Sequence, residues 1–396
     1  YILDEHDLIS LKDALNKIHF SNGIGELNQA IHRLKFDEHF FLQLLMALRK
    51  RSLQHSGSLP LPDIGPYFKL ISETLDFELT DAQKKVIKEI HSDLKNPIPM
   101  NRLLQGDVGS GKTIVSILIS ALAVGNSAQV AMMVPTEILA TQHFHSFKSE
   151  LEKVNIPCAL LVGNMKKLDR SPILVGLENG KIPMVIGTHA LIQEDVNFKN
   201  LGLVIIDEQH RFGVNQRAKL VEKGNNPHFL AMTATPIPRT LSITYHGDMD
   251  LSIIDEMPAN RIPVVTKVVE PSRLGKVYKF IKDEVAAGRQ CMVIYPLVEE
   301  SEKSDLAAAV DAHKELDEKF FPDLNVGLIH GRMKAGEKDN IMERFSKNEI
   351  SILVSTTVVE VGVDIPNATV MVVEHADRFG LTQLHQLRGR VGRGAE

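Results

Sequence analysis

Arg102-Leu-Leu-Gln-Gly106-Asp107-Val108-Gly109-Ser110-Gly111-Lys112-Thr113 decides the fold. It fits G-x-x-x-x-G-K-[ST] at every fixed position. Glycines let such a loop curl until its backbone N–H groups point at phosphate oxygens. Lys112 is then a point charge for the β and γ phosphates of ATP, and the Thr113 hydroxyl is a candidate Mg²⁺ ligand. The flanks agree with this reading. Leu103-Leu104 ends an apolar strand, and Ile114 to Val124 is a helical run whose N-terminus favours an anion. A chance glycine-rich turn would lack both neighbours.

Leu203-Val-Ile-Ile-Asp207-Glu208 is a second apolar strand, ending in two carboxylates. Asp207 is the candidate metal carboxylate, and Glu208 the group that orients or deprotonates the attacking water. Acids often cap strand ends, so the pair is informative because the phosphate loop accompanies it. Further apolar runs lie at 130–134, 184–186 and 229–232, then at 264–269, 292–295, 326–329, 352–354 and 370–373. Helical patterns separate most of them, which predicts parallel sheets covered on both faces. The expected organisation is a helical segment over 1–70, a nucleotide-binding α/β lobe over 71–256, and a second α/β lobe over 257–396. Within the first segment, residues 26–53 read as one long helix or two abutting ones. Ser56 to Pro66 reads as a linker and Met257 to Pro263 as a hinge.

Composition narrows the alternatives. The 396 residues are 43% hydrophobic and 24% charged, which excludes collagen-like, disordered and coiled-coil classes. Two cysteines far apart exclude a disulfide framework and a cysteine-rich zinc site, and suit a reducing compartment. The formal charge of −5 confines any nucleic-acid contact to local patches. No apolar run is long enough to cross a membrane. The chain begins at Tyr1 without an initiator Met or a leader pattern, and is expected to be a fragment.

Longer strings carry a resemblance. Asp207-Glu-Gln-His210 resembles the DExH form of helicase motif II, and Thr233-Ala-Thr235 resembles motif III. Gln386-Leu-Arg-Gly-Arg390-Val-Gly-Arg393 resembles motif VI, while Phe77-Glu-Leu-Thr80-Asp-Ala-Gln83 resembles an adenine-recognising segment. Thr80 and Gln83 also fit a capping box, whatever the family. With Asp207 to Val214, Met232 to Leu241, Tyr245 to Glu256 and Leu384 to Gly394, the chain resembles the RecG family of bacterial fork-remodelling DNA helicases, in superfamily 2. The transcription-repair coupling translocases share much of this, but differ where Gln209 and Ser110 stand.

The resemblance implies two RecA-like lobes with ATP·Mg²⁺ in the cleft between them. Arg390 and Arg393 would reach the γ-phosphate from the second lobe. Gln386 would touch nucleotide or water, and Asp364, within a motif V pattern that includes Glu360 and Gly362, would touch the ribose. Thr136, Thr188, Arg332 and Thr356 are candidate DNA-phosphate contacts, with helix capping an open alternative for Thr136. Branched or forked DNA is the implied substrate, a single-stranded-DNA-binding protein an implied partner, and the bacterial cytoplasm and nucleoid the implied location. The family's wedge domain and C-terminal element are not recognisable in the chain, so weak fork conversion is expected of it. An RNA helicase and a non-hydrolysing nucleic-acid clamp are the rivals. The extensions Arg211-Phe-Gly213 and Ile237-Pro-Arg239 speak against the first, and intact Lys112, Asp207, Glu208 and Arg390 against the second.

Overall fold

The computed structural model describes residues 2–54, 57–163, 165–234, 249–258, 264–296, 302–356, 365 and 367–392. Contacts group residues 1–57 in one compact unit, and residues 58–236 and 251–396 in another. The first unit is helical, over Ile2–Glu5, Leu11–His19 and Ile24–Gln54. Ser10 starts the second of these helices as an N-cap whose side chain accepts from the Asp13 N–H. Ala14 and Ala30 are fully buried, since small side chains let the two helices approach closely.

Among the described residues, the second unit holds two sheets. The first contains β1 (Asn101–Gly106), β2 (Gln129–Met133), β3 (Cys158–Leu161), β4 (Met184–Gly187), β5 (Leu201–Ile206), β6 (His228–Thr233) and β7 (Asp250–Ile254), in the order β3-β4-β2-β5-β6-β1-β7. The pairs β3–β4, β4–β2, β2–β5, β5–β6 and β6–β1 are parallel. The second sheet contains β8 (Gln290–Tyr295), β9 (Val326–Ile329), β10 (Ile352–Thr356) and β11 (Ala368–Val373), all parallel, in the order β11-β8-β10-β9. Each sheet has apolar clusters on both faces, so the two RecA-like parallel-sheet lobes have cores of their own. Strands buried on both faces read as unbroken apolar runs, and every residue of β2, β4 and β5 is buried.

Two strands were not visible as apolar runs: β3, only four residues long, and β7, at the sheet edge. Conversely, Val264 to Val269 is not a strand. It pairs with no sheet edge among the described residues, and Val265 and Val268 stand in solvent. Residues 58–66, expected in the linker, pack on the first lobe instead, together with the helix that begins within them. The Leu61 N–H donates to Leu94 O (2.7 Å), Asp63 and Asn126 exchange two hydrogen bonds, and helix Gly65–Glu73 lies on helix Lys112–Gly125.

One structural repeat was also missed. After β5, Glu208 takes the left-handed conformation (φ 50°, ψ 50°), a 3₁₀ turn follows, and Gln216 caps the helix Val214–Val221 by accepting from the Gly213 N–H. After β11, His375 takes the same conformation (φ 50°, ψ 49°), a 3₁₀ turn follows, and Gln383 caps the helix Leu381–Arg388 by accepting from the Gly380 N–H. The signal in the sequence was Arg-Phe-Gly-x-x-Gln, which occurs at both 211–216 and 378–383.

A buried histidine fastens residues 58–61 to the first sheet. The Met100 N–H donates to His228 Nδ1 (3.0 Å), which leaves Nε2–H to donate to Leu59 O (2.8 Å). Burial pushes the His228 pKa below its ordinary value, outweighing the Leu59 bond and the charge of Asp93, which favour the proton. The folded chain therefore binds this proton less readily than the unfolded chain. Stability from His228 is complete above the unfolded-state pKa of about 6.5 and is lost as pH falls below it. Thermal melts from pH 8 to pH 5 should show this loss, and His228→Asn should flatten it while lowering the melting temperature throughout. Parallel curves for parent and variant would show that His228 does not titrate on unfolding.

Candidate active site

The site follows from strand order. In a parallel sheet every strand delivers its C-terminal end to one edge, where loops bind ligands. β1, β6 and β5 are neighbours, so the loop after β1 and the acids after β5 lie two strand spacings apart, roughly 10 Å. That span suits the phosphates of one nucleotide.

Gly111 shows how the loop is shaped. Its φ of 88° is left-handed, and a Cβ there would run into the Gln83 amide. Gln83 is 1% exposed. Its Nε2 donates to Ser110 O (2.8 Å), its Oε1 accepts from the Thr80 N–H (2.9 Å), and its own N–H donates to Thr80 Oγ1 (3.2 Å). The capping box and the loop therefore share one side chain, which braces the loop from beneath. Phe77, by contrast, is 45% exposed. Lys112 Nζ donates to Gly106 O (2.6 Å) and Asp107 O (2.8 Å), curled over the loop it would serve. Ser110 Oγ is buried without a hydrogen-bond partner in the same loop.

Asp207 and Glu208 are driven apart in acidity. Burial raises the Asp207 pKa, but a hydrogen bond from His143, the charges of His143 and Lys112, and the Glu208 N–H outweigh it, so the carboxyl sits below its usual value. Burial and the adjacent Asp207 push Glu208 up, against the opposing charges of Arg390, Lys112 and Arg211. A carboxylate kept ionised beside one of raised pKa is the division needed between a metal ligand and a proton acceptor. The left-handed backbone at Glu208 is uncommon for a side-chain-bearing residue and stores strain at this point.

His143 was not found from sequence. Its Nε2 lies 3.0 Å from Asp207 Oδ2, while Asp207 Oδ1 accepts from the Glu208 N–H (3.0 Å). It would orient the carboxylate. The signal was one of two histidines within the helix Glu137–Glu152, His143 and His145, which no motif marked; His143 is the buried one.

From the second lobe, Arg390 is 5% exposed and close enough for its charge to act on Glu208. Gln386 is half-buried on the helix Leu381–Arg388, which ends two residues before Arg390. Arg393 and Asp364 lie outside the described residues, as do Thr235, Arg239, Glu360, Gly362 and most of the 257–263 hinge. The remaining candidates sit beyond strand ends. The Thr136 hydroxyl accepts from the Leu139 N–H (3.3 Å), which is its capping role. Thr188 Oγ1, past β4, and Thr356 Oγ1, at the end of β10, are buried without hydrogen-bond partners. Arg332 is exposed.

Comparison with known proteins bears on this arrangement. A DEAD/DEAH box helicase model matches residues 80–243, and a helicase conserved C-terminal domain model matches residues 272–395. The ATP-dependent DNA helicase RecG of Synechocystis sp. is 51% identical over 395 residues, which is 100% of this chain and 48% of that protein. The RecG of Thermotoga maritima is 48% identical, over 100% of this chain and 51% of that protein. The chain belongs to the RecG family. It spans about half the length of the curated RecG relatives it matches. A RecG structure solved with a three-way DNA junction superposes with a TM-score of 0.87 at 45% identity, covering 99% of this chain and 52% of that one. Dbp5 of S. cerevisiae, solved with RNA and ADP-BeF₃, is 15% identical with a TM-score of 0.60, over 84% of this chain and 85% of that one, and shares the fold.

The RecG-type motif VI gives a direct expectation. Guanidinium groups stabilise charge that develops on the γ-phosphate. Arg390→Ala should therefore lower turnover by about 10²- to 10³-fold while changing nucleotide affinity little. Phosphate release and calorimetric nucleotide binding check it, and equal losses in both would reduce Arg390 to a ground-state anchor.

Proposed function

We propose that this chain is the motor of a RecG-type, ATP-dependent DNA helicase that remodels branched DNA, such as forks and four-way junctions, in recombination and repair. The observation that carries the reading is the meeting of three groups in one cleft: the phosphate loop with Lys112, the Asp207–Glu208 pair, and Arg390 from the other lobe. Residues 71–256, with 58–70 packed on them, and residues 257–396 are its two lobes, and residues 1–57 are a helical segment that precedes them in the chain. Gly106 to Thr113 cradle the phosphates of ATP, Glu208 takes a proton from the attacking water, and Arg390 and Arg393 answer the charge on the γ-phosphate. Thr113 and Asp207 are the residues that would hold Mg²⁺, and the ionised state of Asp207 supports that fit. When bound, the metal would neutralise phosphate charge. Phe77 and Gln83 border the base side of the cleft, and Asp364 and Gln386 its second-lobe side. Closure of the lobes completes the site and reopening resets it, a recurrent way to couple turnover to movement.

The partner surface is local, because a formal charge of −5 leaves only particular phosphate contacts to hold DNA. Exposed Arg332 is the contact we assign to it, and the buried hydroxyls of Thr188 and Thr356 would reach a phosphate only after local opening of the strand ends. No helix among the described residues is long and apolar enough to cross a membrane. A bacterial cytoplasmic setting at the nucleoid, with a single-stranded-DNA-binding protein nearby, completes the proposal. Steady-state phosphate release with no nucleic acid, single-stranded DNA, forked DNA and structured RNA tests it. Hydrolysis that DNA raises more than RNA is expected. Silence in all four would favour an ATP-binding clamp, and stimulation by RNA alone an RNA motor.

A further inference from the structure

The two variable loop positions after Gly106 do more than line a phosphate site. His385 Nε2 lies 2.8 Å from Asp107 Oδ1, and Arg388 Nη2 lies 3.3 Å from His385 Nδ1 on the same helix. One turn further on, a Cβ at Gly389 would stand 2.7 Å from Val108 Cβ and 3.1 Å from its Cγ2. The φ of Gly389 is −68°, open to any residue, so glycine is required there by contact and not by conformation. His385 and Gly389 are four apart and share one helix face. Asp107 and Val108 are consecutive. The helix Leu381–Arg388 is thus seated on the phosphate loop at two points, one polar and one apolar, directly before Arg390.

We infer that Asp107–Val108 is the docking seat of the motif VI helix, and that His385 and Gly389 are positioning residues which set Arg390 opposite Glu208. This rests on the hydrolytic reading above. The Arg-Phe-Gly turn fixes the helix to β11 at its start, so the seat needs to fix only its far end. A loop shaped by phosphates also carries the second lobe, and filling the loop and docking the lobe become one event.

The test uses this chain with dyes on cysteines placed at exposed Glu178 and Lys347. The native thiols are poor competitors, since burial pushes Cys158 up to about 12 and raises Cys291 further. In the parent, a non-hydrolysable ATP analogue should raise energy transfer between the lobes. His385→Ala should cancel most of that rise and cut kcat about tenfold, with analogue affinity held within about threefold. His385→Gln, which retains a donor, should recover most of both. Gly389→Ala should reproduce the loss from the apolar side. Asp107→Ala combined with His385→Ala should be no worse than the poorer single variant, because both remove one contact. Additive losses in the double variant, or full transfer in His385→Ala and Gly389→Ala at unchanged melting temperature, would overturn the inference. A parent that binds the analogue but hydrolyses no ATP would sink the hydrolytic reading alone, and the transfer measurements would still decide the docking.

Discussion

Glu208→Gln should bind ATP as the parent does and hydrolyse almost none. The substitution keeps the shape of the side chain and removes its capacity to take a proton. The environment makes that loss severe. Burial and the neighbouring Asp207 hold the Glu208 pKa above the ordinary glutamate value, which strengthens it as a base, and the left-handed backbone holds it at a fixed point beyond β5. General-base contributions are about 10²- to 10⁴-fold, and the upper part of that range is expected here. Single-turnover phosphate release measures the rate, and calorimetry the affinity. Parental hydrolysis by Glu208→Gln would remove Glu208 from the chemistry.

Lys112→Ala should fail in a different way, losing affinity and turnover together. Its ammonium group is the one lysine charge the phosphate loop itself supplies, and its hydrogen bonds to Gly106 O and Asp107 O keep it folded over the loop before any ligand arrives. Removal takes a positive charge from the β and γ phosphates and also takes the ammonium donor from Gly106 O and Asp107 O, of which Asp107 O keeps the Ser110 N–H (3.1 Å). A turnover loss of about 10³-fold or more is expected, since ground-state and transition-state contacts disappear at once. Near-parental affinity with lost turnover would confine Lys112 to the transition state. Parental turnover would mean that the loop holds no γ-phosphate.

Much of this arrangement could be read from residues alone, and the reason is range. Gly106 to Thr113 is a continuous stretch whose chemistry depends on residues within eight positions of one another. The same is true of the strand that ends at Asp207-Glu208, so both were legible together with the parallel α/β lobes that hold them. His143 beside Asp207 and His385 beside Asp107 were not legible, because each pair is made by the fold from distant segments. Gln83 fell between these cases. Its capping box with Thr80 was readable locally, whereas its grip on Ser110 O was not. Val264 to Val269 failed for another reason: a valine-rich apolar run marks a capacity to pair, and only a neighbouring edge turns it into a strand.

The repeated turn has a consequence for stoichiometry. Both lobes place a left-handed residue and a capped helix after a parallel strand, but the first turn carries Asp207-Glu208 and the second carries Glu374-His375. Nowhere in residues 257–396 does G-x-x-x-x-G-K-[ST] recur. The second copy keeps the scaffold without the loop that would give it a phosphate to act on, and its histidine stands where the first copy has its base. On the proposed reading the chain therefore carries one fuel chamber and one piston, and each stroke consumes a single ATP.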